Sequence, residues 1–171
     1  MKRAFSVALL MLAAWPARAE DIKPPFGLIW GETASRLESM LRNAKARIVE
    51  KRAVQGGLEA WDVDGLVQTG LKRTVFYFRT DALAEVELIY HSDGWDQRKY
   101  DDFMGAVRLQ LKSRYGEGQQ LVRKTEPVGD VVQTVVGYKW NQNNAAVELY
   151  YFAAQNGQNL FRTISVHYKV H

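Results

Sequence analysis

Serine, histidine and glutamate side chains occur in this chain at spacings that could support nucleophilic or acid–base chemistry. Ser165 and His167 are two positions apart in a strand-like stretch, so both side chains lie on one strand face, with about 7 Å between their Cα atoms. A serine beside a histidine is a fragment of a nucleophile–base pair. The hydrolase motifs G-x-S-x-G, S-x-x-K and H-E-x-x-H are absent from the sequence. We therefore interpret the pair as polar residues on a solvent-exposed sheet face.

Paired carboxylates offer a second kind of chemistry. Glu85 and Glu87 share a strand face, and Glu148 lies in a similar Val-Glu-Leu segment. Two carboxylates about 5–10 Å apart could hydrolyse a glycosidic bond. Such glutamates more often form a solvated strand face with lysine or arginine on the next strand. We favour that interpretation and predict no catalytic residue.

Metal and cofactor chemistry has little support. His91, Asp93 and Asp96 could hold a metal ion, but we interpret them as a turn followed by a helix cap. The sequence contains no cysteine, which excludes disulfides, thiolate metal sites, c-type haem attachment and a lipoprotein anchor. Gly116 and Gly118 follow a predicted helix, whereas a phosphate-binding glycine loop precedes its helix, so these glycines do not indicate a phosphate site. We predict no metal and no cofactor.

Tyrosine and arginine side chains are the clearest signal for a binding surface. Tyr77, Arg73 and Arg79 share one strand face, and Tyr150 and Phe152 share a face with Glu148. Both residue types are enriched in protein interfaces. The predicted interaction surface consists of Arg73, Tyr77, Arg79, Glu148, Tyr150 and His167.

Two helices and eight strands must position these side chains. The first helix should begin near Thr33, a good N-cap, and its apolar stripe is Leu37, Met40, Leu41 and Ala44. Asp96 should cap the second helix and Gly116 should end it. The predicted strands span 47–53, 58–63, 71–79, 83–90, 119–124, 130–140, 145–152 and 160–170. Residues 26–30 are expected to form either a short strand or a segment that packs onto the core, and a turn of more than two residues is expected around Asn156-Gly157.

A helix followed by four strands thus occurs twice, at about 26–91 and 96–170, which suggests an internal duplication. Short connections make neighbouring strands antiparallel. The last strand alternates between Leu160, Ile164, Val166 and Tyr168 on one face and Phe161, Thr163, Ser165, His167 and Lys169 on the other. We therefore predict a single α+β domain at 20–171, with an antiparallel sheet of about eight strands and both helices on one face.

Residues 1–19 have the pattern of a secretory signal peptide. Lys2 and Arg3 precede an apolar run over 4–14, and Ala17-Arg18-Ala19 provides a small-x-small cleavage site. The run is shorter than the roughly 20 residues that cross a bilayer. We predict cleavage after Ala19, a mature chain without a transmembrane segment, and a location in the bacterial periplasm or outside the cell.

The charge of the predicted mature chain argues against nucleic-acid binding. The signal peptide removes three of the 23 basic residues, and the remaining twenty face nineteen acidic ones. Nucleic-acid-binding proteins usually carry a basic face, whereas positive and negative residues alternate here.

The segment 26–37, FGLIWGETASRL, is similar to the opening of many small exported bacterial domains. It resembles SmpA/OmlA-type envelope proteins and β-lactamase-inhibitory-protein-like domains, and the latter also resemble this chain in their tandem helix-plus-four-strand units. The resemblance implies a curved sheet whose open face binds a partner protein. The chain lacks the lipoprotein cysteine of the first group and the disulfides of the second, and no functional residue carries over.

Three hypotheses about function follow. The first is a non-enzymatic, exported binding domain that presents a sheet face or loops to another envelope protein. The second is a small-molecule or lipid carrier with a helix–sheet groove lined by Met40, Tyr100, Phe103 and Met104. The third is an enzyme with a dispersed site. We favour the first; the sequence does not indicate the oligomeric state.

Overall fold

A computed structural model describes residues 20–171 of the chain. The predicted signal peptide, 1–19, lies outside the described residues. The helices are α1 (Ala34–Asn43) and α2 (Gln97–Tyr115). The strands are β1 (Arg47–Val54), β2 (Leu58–Asp64), β3 (Leu71–Arg79), β4 (Ala82–Tyr90), β5 (Gln119–Val128), β6 (Val131–Asn141), β7 (Ala145–Asn156) and β8 (Asn159–Val170).

All eight strands form one antiparallel sheet in the order β1-β2-β3-β4-β8-β7-β6-β5. Consecutive strands from β1 through β4 are connected by hairpins, and so are consecutive strands from β5 through β8. The fourth strands of the two halves, β4 and β8, pair at the centre of the sheet, from Glu85–Lys169 to Tyr90–Ile164. The α+β architecture predicted from the sequence is therefore confirmed.

Both helices pack on one face of this sheet, as predicted. The Thr33 hydroxyl accepts a hydrogen bond from Arg36 N at the start of α1, and the Asp96 carboxylate accepts one from Lys99 N at the start of α2. These side chains satisfy backbone donors that lack a partner within the first helical turn. The two predicted N-caps are thus confirmed.

One hydrophobic core lies between the helices and the sheet. It is built from inward-facing side chains of alternate strand positions and from the inner faces of both helices. Its most buried large members include Leu37, Phe76, Phe78, Leu83, Val86, Tyr100, Trp140, Val147, Leu149 and Ile164.

Of the two expectations for residues 26–30, the short strand is wrong and the packing onto the core is confirmed. This stretch forms turns, because Phe26 and Gly27 both adopt positive φ angles, 63° and 73°, which a strand does not accommodate. Leu28 nevertheless reaches the core, with 3% of its surface exposed. The segment therefore anchors to the core as a turn instead of a strand.

Two hairpins also differ from the sequence-based prediction. β5 continues through Pro127 to Val128, which the edge position of β5 permits because proline is tolerated on edge strands. Asn156 pairs with Asn159, so the β7–β8 loop has only two residues, Gly157 and Gln158. The positive φ of Gly157, 57°, is what this tight turn requires.

Candidate binding surface on the open sheet face

The face of the sheet opposite the helices is the open face, because no helix within residues 20–171 lies against it. Directly paired residues of antiparallel strands point to the same face. Four such pairs therefore place their side chains on one side of the sheet: Tyr77–Glu85, Glu87–His167, Glu148–His167 and Tyr150–Ser165. The six residues of the predicted interaction surface all lie on this face.

Glu87 joins the two halves of the sheet on the open face. Its Oε2 accepts a hydrogen bond from the Tyr77 hydroxyl at 2.9 Å, and its Oε1 lies 3.2 Å from His167 Nε2. Burial raises the pKa of Glu87, but the hydrogen bonds from His167 and Tyr77 and the charges of His167 and Lys169 outweigh it, so this pKa falls below its usual value. Burial and the neighbouring carboxylate raise the pKa of Tyr77, which therefore remains a neutral donor.

Glu148 forms a second, similar cluster beside the first. It accepts a hydrogen bond from the Tyr150 hydroxyl at 3.1 Å and lies 3.2 Å from Lys139 Nζ and 3.4 Å from Lys169 Nζ. Burial raises the pKa of Glu148, but Lys169, Lys139 and the Tyr150 hydroxyl lower it further than burial raises it. Both central glutamates are therefore held ionised.

Five side chains with rings lie in a row on the open face. We call this row the aromatic stripe; it consists of Tyr77, His167, Tyr150, Phe152 and Phe161. The Tyr150 and His167 rings meet edge to face, with centroids 5.9 Å apart, and the Phe152 and Phe161 centroids are 6.5 Å apart. Phe161 is the most open of these side chains, at 49% exposure. Phe152 and Phe161 were not among the predicted surface residues, although the strand alternation already placed Phe161 on the face of His167.

The arginines of the predicted surface occupy different positions. Arg73 lies 3.7 Å from the Asp62 carboxylate, which also binds Arg52 at 3.2 Å. Asp62 is only 5% exposed, since the two arginines cover it. Arg79 lies apart from these clusters, at the exposed end of β3. The sequence did not predict the ion pair between Asp62 and Arg52, because an acidic residue in a strand gives no local sign of burial.

The geometry of Ser165, His167 and Glu87 differs from that of a catalytic triad. A triad requires the serine on one imidazole nitrogen and the carboxylate on the other. Here Ser165 Oγ and Glu87 Oε1 both lie 3.2 Å from the same atom, His167 Nε2. Glycosidase chemistry requires one carboxyl group to stay protonated, and the pKa values of Glu87 and Glu148 are both lowered. In this arrangement the two glutamates provide fixed negative charges, and the side chains around them provide hydrogen-bond donors.

The residues considered for a metal site have other partners. His91 Nδ1 lies 2.7 Å from Arg162 O, His91 Nε2 lies 3.1 Å from Asp93, and Asp96 caps α2. Across the described part of the chain, no three His, Asp or Glu side chains cluster in a way that could hold a metal ion. His91 instead stacks on Phe161, with ring centroids 5.3 Å apart, at the end of the aromatic stripe.

The groove predicted for a carrier does not form from the expected residues. Met40 lines a cleft beneath α1, Met104 lines a different cleft beneath α2, and Phe103 packs on Tyr90 and Trp95. These side chains therefore line different parts of the helix–sheet interface and do not share one groove. A separate cleft of about 360 Å³ opens over the β4–β8 seam, lined by Phe26, Leu88, Tyr90, Val107, Arg114, Val166 and Tyr168 among others.

No protein-family model, curated protein or solved structure matches this chain. The resemblance to exported envelope and inhibitory-protein-like domains thus stays a prediction. Neither α1 nor α2 is long and apolar enough to cross a membrane, and no other helix occurs in residues 20–171.

Proposed function

We propose that this protein is a non-enzymatic binding domain of the bacterial cell envelope that presents its open sheet face to a partner protein. The aromatic stripe carries this proposal, since its rings, which include the contacting pairs Tyr150–His167 and Phe152–Phe161, lie on an uncovered face. Arginines and lysines beside the stripe would form the polar surroundings that interfaces usually have.

Fixed geometry supports the same proposal. Tyr77 and Tyr150 are half-buried, and each hydroxyl is held by an ionised glutamate. A partner would therefore meet side chains that have already lost most of their rotational freedom. Association costs less free energy when fewer side chains must be ordered on binding.

Site-specific photo-crosslinking tests the proposed surface. A photoreactive phenylalanine analogue at position 161 or 152 should crosslink one defined protein in periplasmic extracts. The same analogue at Leu109, which is 68% exposed on α2 on the opposite side of the sheet, should not. Tyr150→Ala should then reduce capture of that protein about tenfold or more, as expected for a hot spot. Equal crosslinking from positions 109 and 161 would contradict the proposal.

The export part of the proposal depends on residues 1–19 and has its own test. N-terminal sequencing of the protein recovered from the periplasm should begin at Glu20. Recovery of a chain that begins at Met1 would remove the assignment to the envelope.

A carrier function is the second candidate, and the cleft over the β4–β8 seam favours it. Leu88 and Val166 contribute apolar surface to its lining, and the cleft also contains Tyr90, whose pKa burial raises to about 12. Its volume is at the lower end of the range typical of ligand sites. Mass spectrometry of organic extracts should detect a co-purifying small molecule that Val107→Trp, which fills the cleft, excludes. Identical extracts from both proteins would remove this candidate.

A further inference from the structure

Two arginines converge on one hydroxyl group on the helix side of the sheet. Arg108 Nη1 of α2 and Arg123 Nη2 of β5 each donate a hydrogen bond to the Tyr138 hydroxyl, both at 3.4 Å. The Arg108 guanidinium also lies over the Tyr138 ring, 4.5 Å from its centre. Two positive charges are therefore held beside the same oxygen atom.

No carboxylate in the part of the chain that the structure describes forms an ion pair with either arginine. In residues 20–171, Arg108 and Arg123 form no ion pair, whereas Arg98 on the same helix pairs with Asp102. Asp101 also lines the cleft beside these arginines, and its carboxylate accepts a hydrogen bond from Gln97 Nε2 at 2.8 Å. Like charges this close repel each other, so an anion between them would relieve the repulsion.

A cleft of about 370 Å³ lies beside the two guanidinium groups. Thr134 and Gln97 contribute polar groups to it, and Met104, Val136 and the Tyr151 ring contribute apolar surface. Ligand sites typically combine such an apolar wall with a few converging polar groups. Guanidinium groups bind phosphate well because their planar N–H donors match its oxygen atoms.

We propose that Arg108, Arg123 and Tyr138 form a binding site for a phosphate group, either as free phosphate or as a small phosphate monoester. The two arginines would bind the oxygens, and the apolar wall would contact the organic portion of a monoester. This site is on the opposite side of the sheet from the aromatic stripe, so it does not depend on the proposed function.

Calorimetric titration of the purified protein with inorganic phosphate and with phenyl phosphate, at constant ionic strength, tests the site. Saturable binding is expected for both probes. Arg108→Gln and Arg123→Gln should each weaken it about tenfold, since a hydrogen bond to a charged group is worth about that factor. The double variant should abolish it. Arg98→Gln is the matched control, because it removes an arginine from the same helix outside the cleft.

The two probes distinguish the sources of the phosphate group. Tighter binding of phenyl phosphate supports a monoester that uses the apolar wall, and equal affinities support free phosphate. The absence of saturable binding by either probe would overturn the proposal. An equal loss of phosphate affinity in Arg98→Gln and in the double variant would also overturn the proposal. It would indicate that phosphate is attracted by the overall positive charge and not by this site.

Thermal unfolding provides a readout that a purely structural role would not produce. Without phosphate, Arg123→Gln should leave the melting temperature unchanged or raise it, since a repelling charge is removed. With phosphate, the wild-type protein should melt at a higher temperature, as a ligand that binds only the folded state stabilises it. The double variant should show no such shift, and a shift equal to that of the wild type would contradict the proposal.

Discussion

Asn144 holds Ile22 through both atoms of its side-chain amide. Asn144 Nδ2 donates to Ile22 O at 2.8 Å, and Asn144 Oδ1 accepts from Ile22 N at 3.3 Å. The Trp30 indole donates to the same Ile22 carbonyl at 2.8 Å. Ile22 itself is fully buried. The segment before α1 is therefore fastened to the β6–β7 loop of the other half of the sheet.

Asn144→Ala should lower the free energy of unfolding by about 1–3 kcal/mol, because it leaves the buried N–H of Ile22 without a partner and the Ile22 carbonyl with only the Trp30 indole as donor. Urea unfolding followed by tryptophan fluorescence measures the loss. Asn143→Ala is the control, since Asn143 is exposed and should change stability by less than about 0.5 kcal/mol. Similar losses in both variants would show that the amide bonds to Ile22 are not the cause.

Asp62→Ala should also destabilise the protein, by roughly 1–3 kcal/mol. The reason is that Arg52 and Arg73, whose charges now meet on one buried carboxylate, would repel each other without it. Asp64→Ala breaks only a more exposed pair with Arg47 at 3.9 Å and should cost about 0.5 kcal/mol or less. If urea unfolding gives the same value for both variants, the burial of Asp62 is energetically unimportant.

Acid should weaken the fold through Glu87. Its pKa in the folded state is below the ordinary value of 4.5, so the ionised form is favoured by folding. The resulting stability is present above pH 4.5 and is lost as the pH falls through the folded-state pKa. Unfolding curves at a series of pH values should show wild type more stable than Glu87→Gln at pH 7, with the difference shrinking below about pH 4.5.

Glu59→Gln is the control for this pH dependence, since Glu59 is exposed and lies outside the open-face network. Its stability should follow the wild-type curve. A constant difference between wild type and Glu87→Gln from pH 7 to pH 3 would contradict the role assigned to the ionised carboxylate.

Gly137→Ala should disturb the aromatic stripe directly. Gly137 pairs with Tyr150, and a Cβ atom at Gly137 would lie 2.6 Å from the Tyr150 ring. The ring must then move, at a cost of about 1–3 kcal/mol. NMR chemical shifts of the Tyr150 ring should change together with those of His167. Gly105→Ala in α2, where a Cβ meets nothing within 4 Å, should leave these shifts unchanged and raise stability slightly.

The features that local patterns determine were predictable from the sequence. Thr33 and Asp96 predict where the helices begin, because their side chains accept hydrogen bonds from backbone N–H groups only three residues away. The two-residue period of a strand places Tyr150 with Glu148, and Arg73 with Tyr77, on one face. The α+β class and the sharing of a strand face within each group of predicted surface residues follow from these short-range rules, whereas the sequence did not indicate which face of the sheet is open.

The tertiary structure alone decided which of those side chains meet. Glu87 touches His167 because β4 pairs with β8, and Asp62 is buried because Arg52 and Arg73 reach it from neighbouring strands. Arg108 and Arg123 approach each other only where α2 crosses the outer strands. Periodicity and capping are set by interactions within a few residues, whereas these contacts depend on the register and packing of elements far apart in the chain, which no local pattern encodes.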